Sequence, residues 1–234
     1  MRLRETIGAF LAGAALAGVT SLAGVRAGRP GEPVPGRIAL PAPMRDGTVA
    51  LERALQERRS VRAFRRTPLT LLEVAQLLWA SQGISWGGHH RTVPSAGALY
   101  PLEIRLVAGE VEGLPAGVYR YLPAPHALEL VAAGDRRRDL CASALGQECV
   151  SEAPAILAIA AVFSRTTGKY GGRGERYAQM EAGNASQNVY LQAAALGLGT
   201  VLVGAFHDDQ VRRALALPPE ETPLALMPLG RRAE

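Results

Sequence analysis

KYGGRGERYAQMEAGNASQNVYLQAAALGLGTVLVGAF, residues 169–206, joins a periodic segment to an apolar one. Residues 175–196 form its longest periodic element, rich in alanine and carrying an internal Gly183, which predicts a long helix. Small and apolar residues surround much of it, so the helix is expected to be buried. Gly197 stands where a left-handed residue would stop it. The apolar run that follows, residues 200–206, predicts a central strand.

Working outward, residues 67–81 read as a helix, with Thr70 and Glu73 in capping-box spacing and Leu71, Val74, Leu77 and Leu78 on one face. Residues 102–107, 118–122 and 128–131 read as strands, the last two joined by a turn at 123–126. Asp135 is expected to cap a helix running to Gln147. Residues 154–163 (PAILAIAAVF) form a continuous apolar run, the pattern of a strand buried on both faces. A helix at 208–215 and a last strand at 223–229 complete the pattern. Separated helices, one hairpin and single apolar strands predict an α+β domain.

With 234 residues, the chain is long enough for one compact domain. A formal charge of +5 brings no basic-aromatic strip or zinc-finger spacing with it, so no nucleic-acid partner is expected. Cys141 and Cys149 fall inside the expected 135–147 helix and its continuation; eight residues of helix rise about 12 Å, more than the roughly 7 Å a disulfide allows. The amino terminus differs from the rest. A basic start precedes an uncharged run at residues 7–25, and a Pro/Gly-rich segment follows. Residues 1–27 therefore read as a signal peptide or membrane anchor, 28–47 as a linker and 48–234 as the domain. The protein is expected to be exported or anchored, on the periplasmic side, or cytoplasmic if the start codon is mis-assigned.

Three constellations carry chemistry. Arg58, Arg59, Ser60 and Arg62 offer three guanidinium groups and a hydroxyl, donors that suit a phosphate, although such a run is also ordinary surface charge. A second basic pair, Arg231-Arg232, would strengthen that reading if folding joined the two. The small residues of PSAGALYP, residues 94–101, would let backbone approach a flat ligand, or simply form a turn. Residues 200–206 end in small residues of the same kind. No P-loop, GxGxxG or HExxH pattern occurs, and the histidines lack metal-ligand spacing, so no metal is expected.

RRSVRAF (58–64), PSAGALYPLE (94–103), the 169–206 block and MPLG (227–230), taken in order, resemble the nitroreductase superfamily, and more narrowly its SagB/thiazole-oxidase branch. The resemblance implies a nitroreductase-like fold: a central, mostly antiparallel sheet flanked by helices, in an intertwined homodimer with flavin mononucleotide (FMN) at the interface. By position it implies that Arg58, Arg59, Ser60 and Arg62 hold the FMN phosphate and ribityl chain. Pro94, Ser95 and Ala96 would line the ring, Val203, Gly204 and Ala205 would give backbone near it, and Arg231 would be a second phosphate contact. Gln187 and Asn188 would face the interface or the flavin. In azoline-oxidising relatives an adjacent Lys-Tyr pair removes a proton, and Lys169-Tyr170 stands at that place; a surface lysine beside a packing tyrosine is the plainer alternative. The chain departs from many relatives at its GRRAE ending, which bears on the Arg231 contact, and at Asn184, where they carry histidine, which leaves the substrate class open between small molecule and peptide. The implied activity is FMN-dependent oxidoreduction of the SagB dehydrogenase type. Its alternatives are an NAD(P)H-dependent nitro or quinone reductase, a non-catalytic membrane-associated flavin subunit, and a basic membrane-surface protein.

Overall fold

The computed structural model describes residues 36–233. Its strands are β1 (Arg37–Ala39), β2 (Leu102–Ala108), β3 (Gly117–Leu122), β4 (Ala127–Ala133), β5 (Ala155–Ala161), β6 (Leu198–Thr200) and β7 (Thr222–Arg231). Its helices are α1 (Leu51–Glu57), α2 (Leu71–Gln82), α3 (Arg137–Ser143), α4 (Glu148–Glu152), α5 (Ser164–Tyr170), α6 (Arg173–Ala195) and α7 (Asp208–Ala214), with a 3-10 turn at Ala96–Ala98. One sheet runs β1-β4-β3-β2-β5-β7-β6, and every neighbouring pair is antiparallel.

Strand β5 explains why its sequence has no polar alternation, because helices cover both faces of the sheet. Leu157 and Ile159 join a core with Val74, Leu77 and Leu78 of α2 and Ala178, Ala185 and Val189 of α6. Ile156, Ala158 and Ala160 point the other way, into a second core with Leu140 of α3, Val150 of α4 and Val211 of α7.

The capping box is formed. Glu73 N–H donates to Thr70 Oγ1 (3.2 Å), and Thr70 N–H donates to Glu73 Oε2 (2.9 Å). Helix α2 consequently begins at Leu71 rather than residue 67, since Leu69 is pinned in extended pairing with Val111. The expected 135–147 helix divides into α3 and α4, because Leu145 and Gly146 turn to φ of 59° and 75°. Asp135 does accept the Arg137 N–H (3.0 Å) ahead of α3. The continuous helix invoked for the cysteines therefore does not exist; both are nonetheless free thiols.

Two further expectations change. Residues 200–206 do not form a central strand: β6 is three residues at the sheet edge, and beyond it only Val203 rejoins the ladder, opposite Leu226. Its valines are apolar because Val201 and Val203 fill the second core, not because strands flank them. Helix α6 buries one face only, through Ala178, Ala182, Ala185, Val189 and Ala193; Met180, Gly183, Asn184 and Gln187 are exposed on this chain.

Part of the span read as linker belongs to the sheet, for β1 pairs with β4, and Met44 exchanges two hydrogen bonds with the buried Gln76 amide. The expected signal or anchor at 1–27 lies outside the described residues. Among those described, no helix is long and apolar enough to cross a membrane.

Leu157→Ala is expected to lower stability by about 3 kcal/mol, the usual cost of a large cavity in a close-packed core. Chemical denaturation checks this through the shift in midpoint.

Candidate functional site

Helix α6 carries the polar side chains that organise two clusters. At its carboxy-terminal end, the segment after α1 runs extended along the β6 edge: Ser60 bridges Thr200 in parallel, and Val61 N–H donates to Thr200 O (2.9 Å). Val61 packs so closely on Gly199 that a Cβ there would lie 2.7 Å from it, which fixes the inward face of the segment. In an extended chain alternate residues share a face, so Arg58, Ser60 and Arg62 look away from Val61. Tyr190 of α6 secures this face. Its hydroxyl lies 3.2 Å from Ser60 Oγ and accepts the Leu202 N–H (2.8 Å), while the Arg58 guanidinium stands 5.1 Å from its ring centroid.

Folding also joins the two basic stretches. Phe64 bridges Arg232, and Arg65 N–H donates to Arg231 O (2.9 Å). The side chains have other occupations, however: Arg231 pairs with Glu73 (2.9 Å), and Arg232 Nε donates to Leu198 O (2.9 Å). Val203 has both backbone groups engaged by Leu226, whereas Gly204 and Ala205 are exposed, with Ala205 O accepting from Gln147 Nε2 (3.1 Å).

The second cluster lies nine residues back along α6, about 13 Å at 1.5 Å per residue. There Glu181, 4% exposed, accepts the Ala96 N–H through Oε1 (2.9 Å), and Ser95 Oγ accepts the Tyr100 N–H (2.8 Å). Pro94, Ser95 and Ala96 thus form a loop clamped from beneath. Gly97 follows at φ 62°, and Ala98 and Tyr100 take φ of 55° and 47°. Non-glycine residues in that region cost free energy and collect at ligand sites. A Cβ on Gly97 would lie 2.7 Å from Tyr170 Oη and 3.0 Å from Lys169 Nζ. The Lys-Tyr pair and the PSAG loop, far apart in sequence, therefore meet at one glycine. Tyr170 is held by Tyr177 in an edge contact (5.2 Å), while Lys169 is exposed.

Burial raises the Glu181 pKa above the ordinary carboxylate range, opposed by the Ala96 N–H, the Ser95 hydroxyl and the Arg91 guanidinium. Of the helix residues expected at the site, Asn188 turns inward and donates to Ala80 O and Thr92 O (both 3.1 Å), so its amide braces the scaffold. Gln187 is exposed on the opposite side. Sequence reasoning missed Glu181 and Tyr190. Glu181 carried a signal, as it falls on the same helical face as Ala178, Ala182 and Ala185, where an acid must have a partner.

A profile of the Nitroreductase family matches residues 55–231. The chain belongs to the nitroreductase family. It is thus an oxidoreductase of that superfamily. It is 46% identical over 186 residues to MJ1384 of Methanocaldococcus jannaschii, provisionally named a nitroreductase, covering 80% of this chain and 93% of the relative. It is 35% identical over 137 residues to McbC, the microcin B17-processing protein of Escherichia coli, covering 56% of this chain and 50% of McbC. The crystal structure of a protein from Ralstonia eutropha JMP134, also provisionally named a nitroreductase, superposes with a TM-score of 0.75 at 33% identity, covering 85% of this chain and 90% of the other.

A raised carboxyl pKa means that the folded state holds its proton more tightly than the unfolded state, so stability is lost as pH rises through the ordinary glutamate range toward the folded pKa. Glu181→Gln removes that loss. Its melting temperature relative to the unsubstituted protein is expected to climb between pH 4 and pH 8, as scanning calorimetry at each pH would record.

Proposed function

We propose that the protein is an FMN-dependent dehydrogenase of the SagB type, working as a homodimer on a small molecule or peptide, with azoline-to-azole oxidation as the type reaction. The observation that carries this reading is the meeting of Lys169 Nζ and Tyr170 Oη with Gly97. Similarity to a microcin-processing protein supports the branch.

The donor set fits a flavin nucleotide. Arg58 and Arg62 supply planar cations and Ser60 a hydroxyl on one face of an edge segment, suited to a phosphate and a polyol. Pro94, Ser95 and Ala96 would border the flat ring, and Gly204 and Ala205 bring exposed backbone. Arg231 would serve the phosphate by exchanging its contact with Glu73, and Arg59 and Gln187 extend the polar surface. When bound, FMN supplies a hydride acceptor at N5. Oxidation of an azoline removes one hydride and one proton from the substrate. Lys169 would take the proton at Nζ in its uncharged form, with the Tyr170 hydroxyl beside it. A lysine does so only when desolvated, and its exposed position on the single chain makes enclosure the task of substrate and partner subunit.

A second reading, NAD(P)H-driven reduction of a nitroaromatic or quinone, is favoured by the likeness to MJ1384. Residues 1–27 are proposed to export or anchor the protein.

The test is to express residues 33–234, titrate the protein with FMN and compare variants. FMN is expected to bind stoichiometrically, and Arg58→Ala to weaken it. Lys169→Ala and Tyr170→Phe should retain FMN yet slow azoline oxidation about 100-fold, the scale of a lost general base. A folded chain that takes up no FMN contradicts the proposal. Full oxidation by both pair variants assigns the proton elsewhere, and turnover only with NAD(P)H and a nitroaromatic favours the second reading.

A further inference from the structure

Beside the loop that ends at Tyr100 lies a cavity of about 240 Å³, lined by Gln82, Arg91, Arg120, Arg165, Glu103 and Tyr121 among others but not by Lys169 or Tyr170. Its lining carries three guanidinium groups and one carboxylate, with Glu129 outside the lining 3.5 Å from Arg120. That carboxylate is already engaged: Glu103 Oε1 accepts from Arg165 Nη2 (2.6 Å), and Oε2 lies 3.8 Å from Arg105.

Gln82 is the telling residue. It is 1% exposed, and its Oε1 accepts from Arg91 Nη1 (2.8 Å). Because an arginine can only donate, this contact fixes which end of the amide is oxygen. Among the described residues, Gln82 Nε2 is then a buried donor without a hydrogen-bond partner, as is Arg120 Nε, which stands 3.5 Å from Glu129. Leaving such donors unmet is unfavourable, which favours a ligand that accepts from them. Burial lowers the Arg91 pKa, and the neighbouring Arg165 cation adds to that effect, while Glu103 and Tyr100 oppose it. A buried donor, a desolvated cation and two further guanidinium groups around one small volume are complementary to a compact negative charge.

We propose that this cavity binds a small oxyanion, a phosphate or carboxylate group, held by Arg91, Arg120 and Arg165 and by the Gln82 amide. Occupancy bears on the loop, since Arg91 lies 4.4 Å over the Tyr100 ring and Arg165 Nη1 donates to Tyr100 O (2.9 Å).

The experiment is calorimetric titration of the full chain with sodium phosphate, and separately with sodium acetate, at constant ionic strength. Saturable binding that persists in Arg58→Gln is expected with at least one of them, and which one identifies the ligand as phosphoryl or carboxylate. Arg120→Gln and Arg165→Gln should each weaken it by about tenfold, the scale of one charge-assisted hydrogen bond. Arg120 is 41% exposed in its side chain, so that variant is expected to fold even if Arg165→Gln does not. Arg138→Gln, in a separate arginine-bearing cavity with Arg65 and Arg66, should change nothing. Arg58→Gln should likewise leave the affinity unchanged, which separates this site from the proposed flavin phosphate site. Absence of saturable binding, equal affinity in Arg120→Gln, or loss through Arg58→Gln alone overturns the proposal.

Discussion

Helix α6 lies against the sheet through a face of alanines, with Ala178, Ala182, Ala185 and Ala193 almost wholly buried and Val189 among them. Small side chains allow a close approach, and close approach has a price: any polar residue on that face must find its partner inside the protein. Glu181 does so at the Ala96 amide, and Tyr190 at Ser60 and the Leu202 amide. The demands of one buried helix face thereby place two separate loops. Ser60 with Arg58 stands at one of those stations, and the 94–97 loop with Lys169 and Tyr170 at the other.

The sheet imposes the complementary constraint. A strand as short as β6 leaves an open edge, and open edges seek pairing. The 58–62 segment covers it, with Val61 seated on Gly199. That seating turns Arg58, Ser60 and Arg62 outward together, so a cluster of donors results from a requirement of β-pairing. The same edge brings Arg65 to the end of β7 and unites the two basic stretches along the backbone, though Glu73 and Leu198 O compete for their arginines.

Elements whose signal is local were legible in the sequence. The capping box at Thr70, the uniformly apolar β5 and the stop at Gly197 each rest on interactions within a few residues or on burial of a whole strand. Residues 200–206 misled because apolar composition reports burial, and Val201 and Val203 achieve it without a ladder. The break at Leu145 was hidden because a leucine rarely adopts positive φ, and β1 was hidden because three residues inside a Pro/Gly-rich tract carry no period. At the site, resemblance supplied the residue types. Only the fold could join Lys169-Tyr170 to Gly97, or show that Asn188 braces α2 while Gln187 stays exposed.

In the proposed mode of binding, the two stations, nine residues apart on α6, serve one ligand, with its phosphate at residues 58–62 and its ring at residues 94–97. Amide hydrogen exchange, resolved by peptide with and without saturating FMN, tests it most directly. FMN is expected to slow exchange in both segments together. Slowing in neither, or in one while the other stays unchanged, would contradict it.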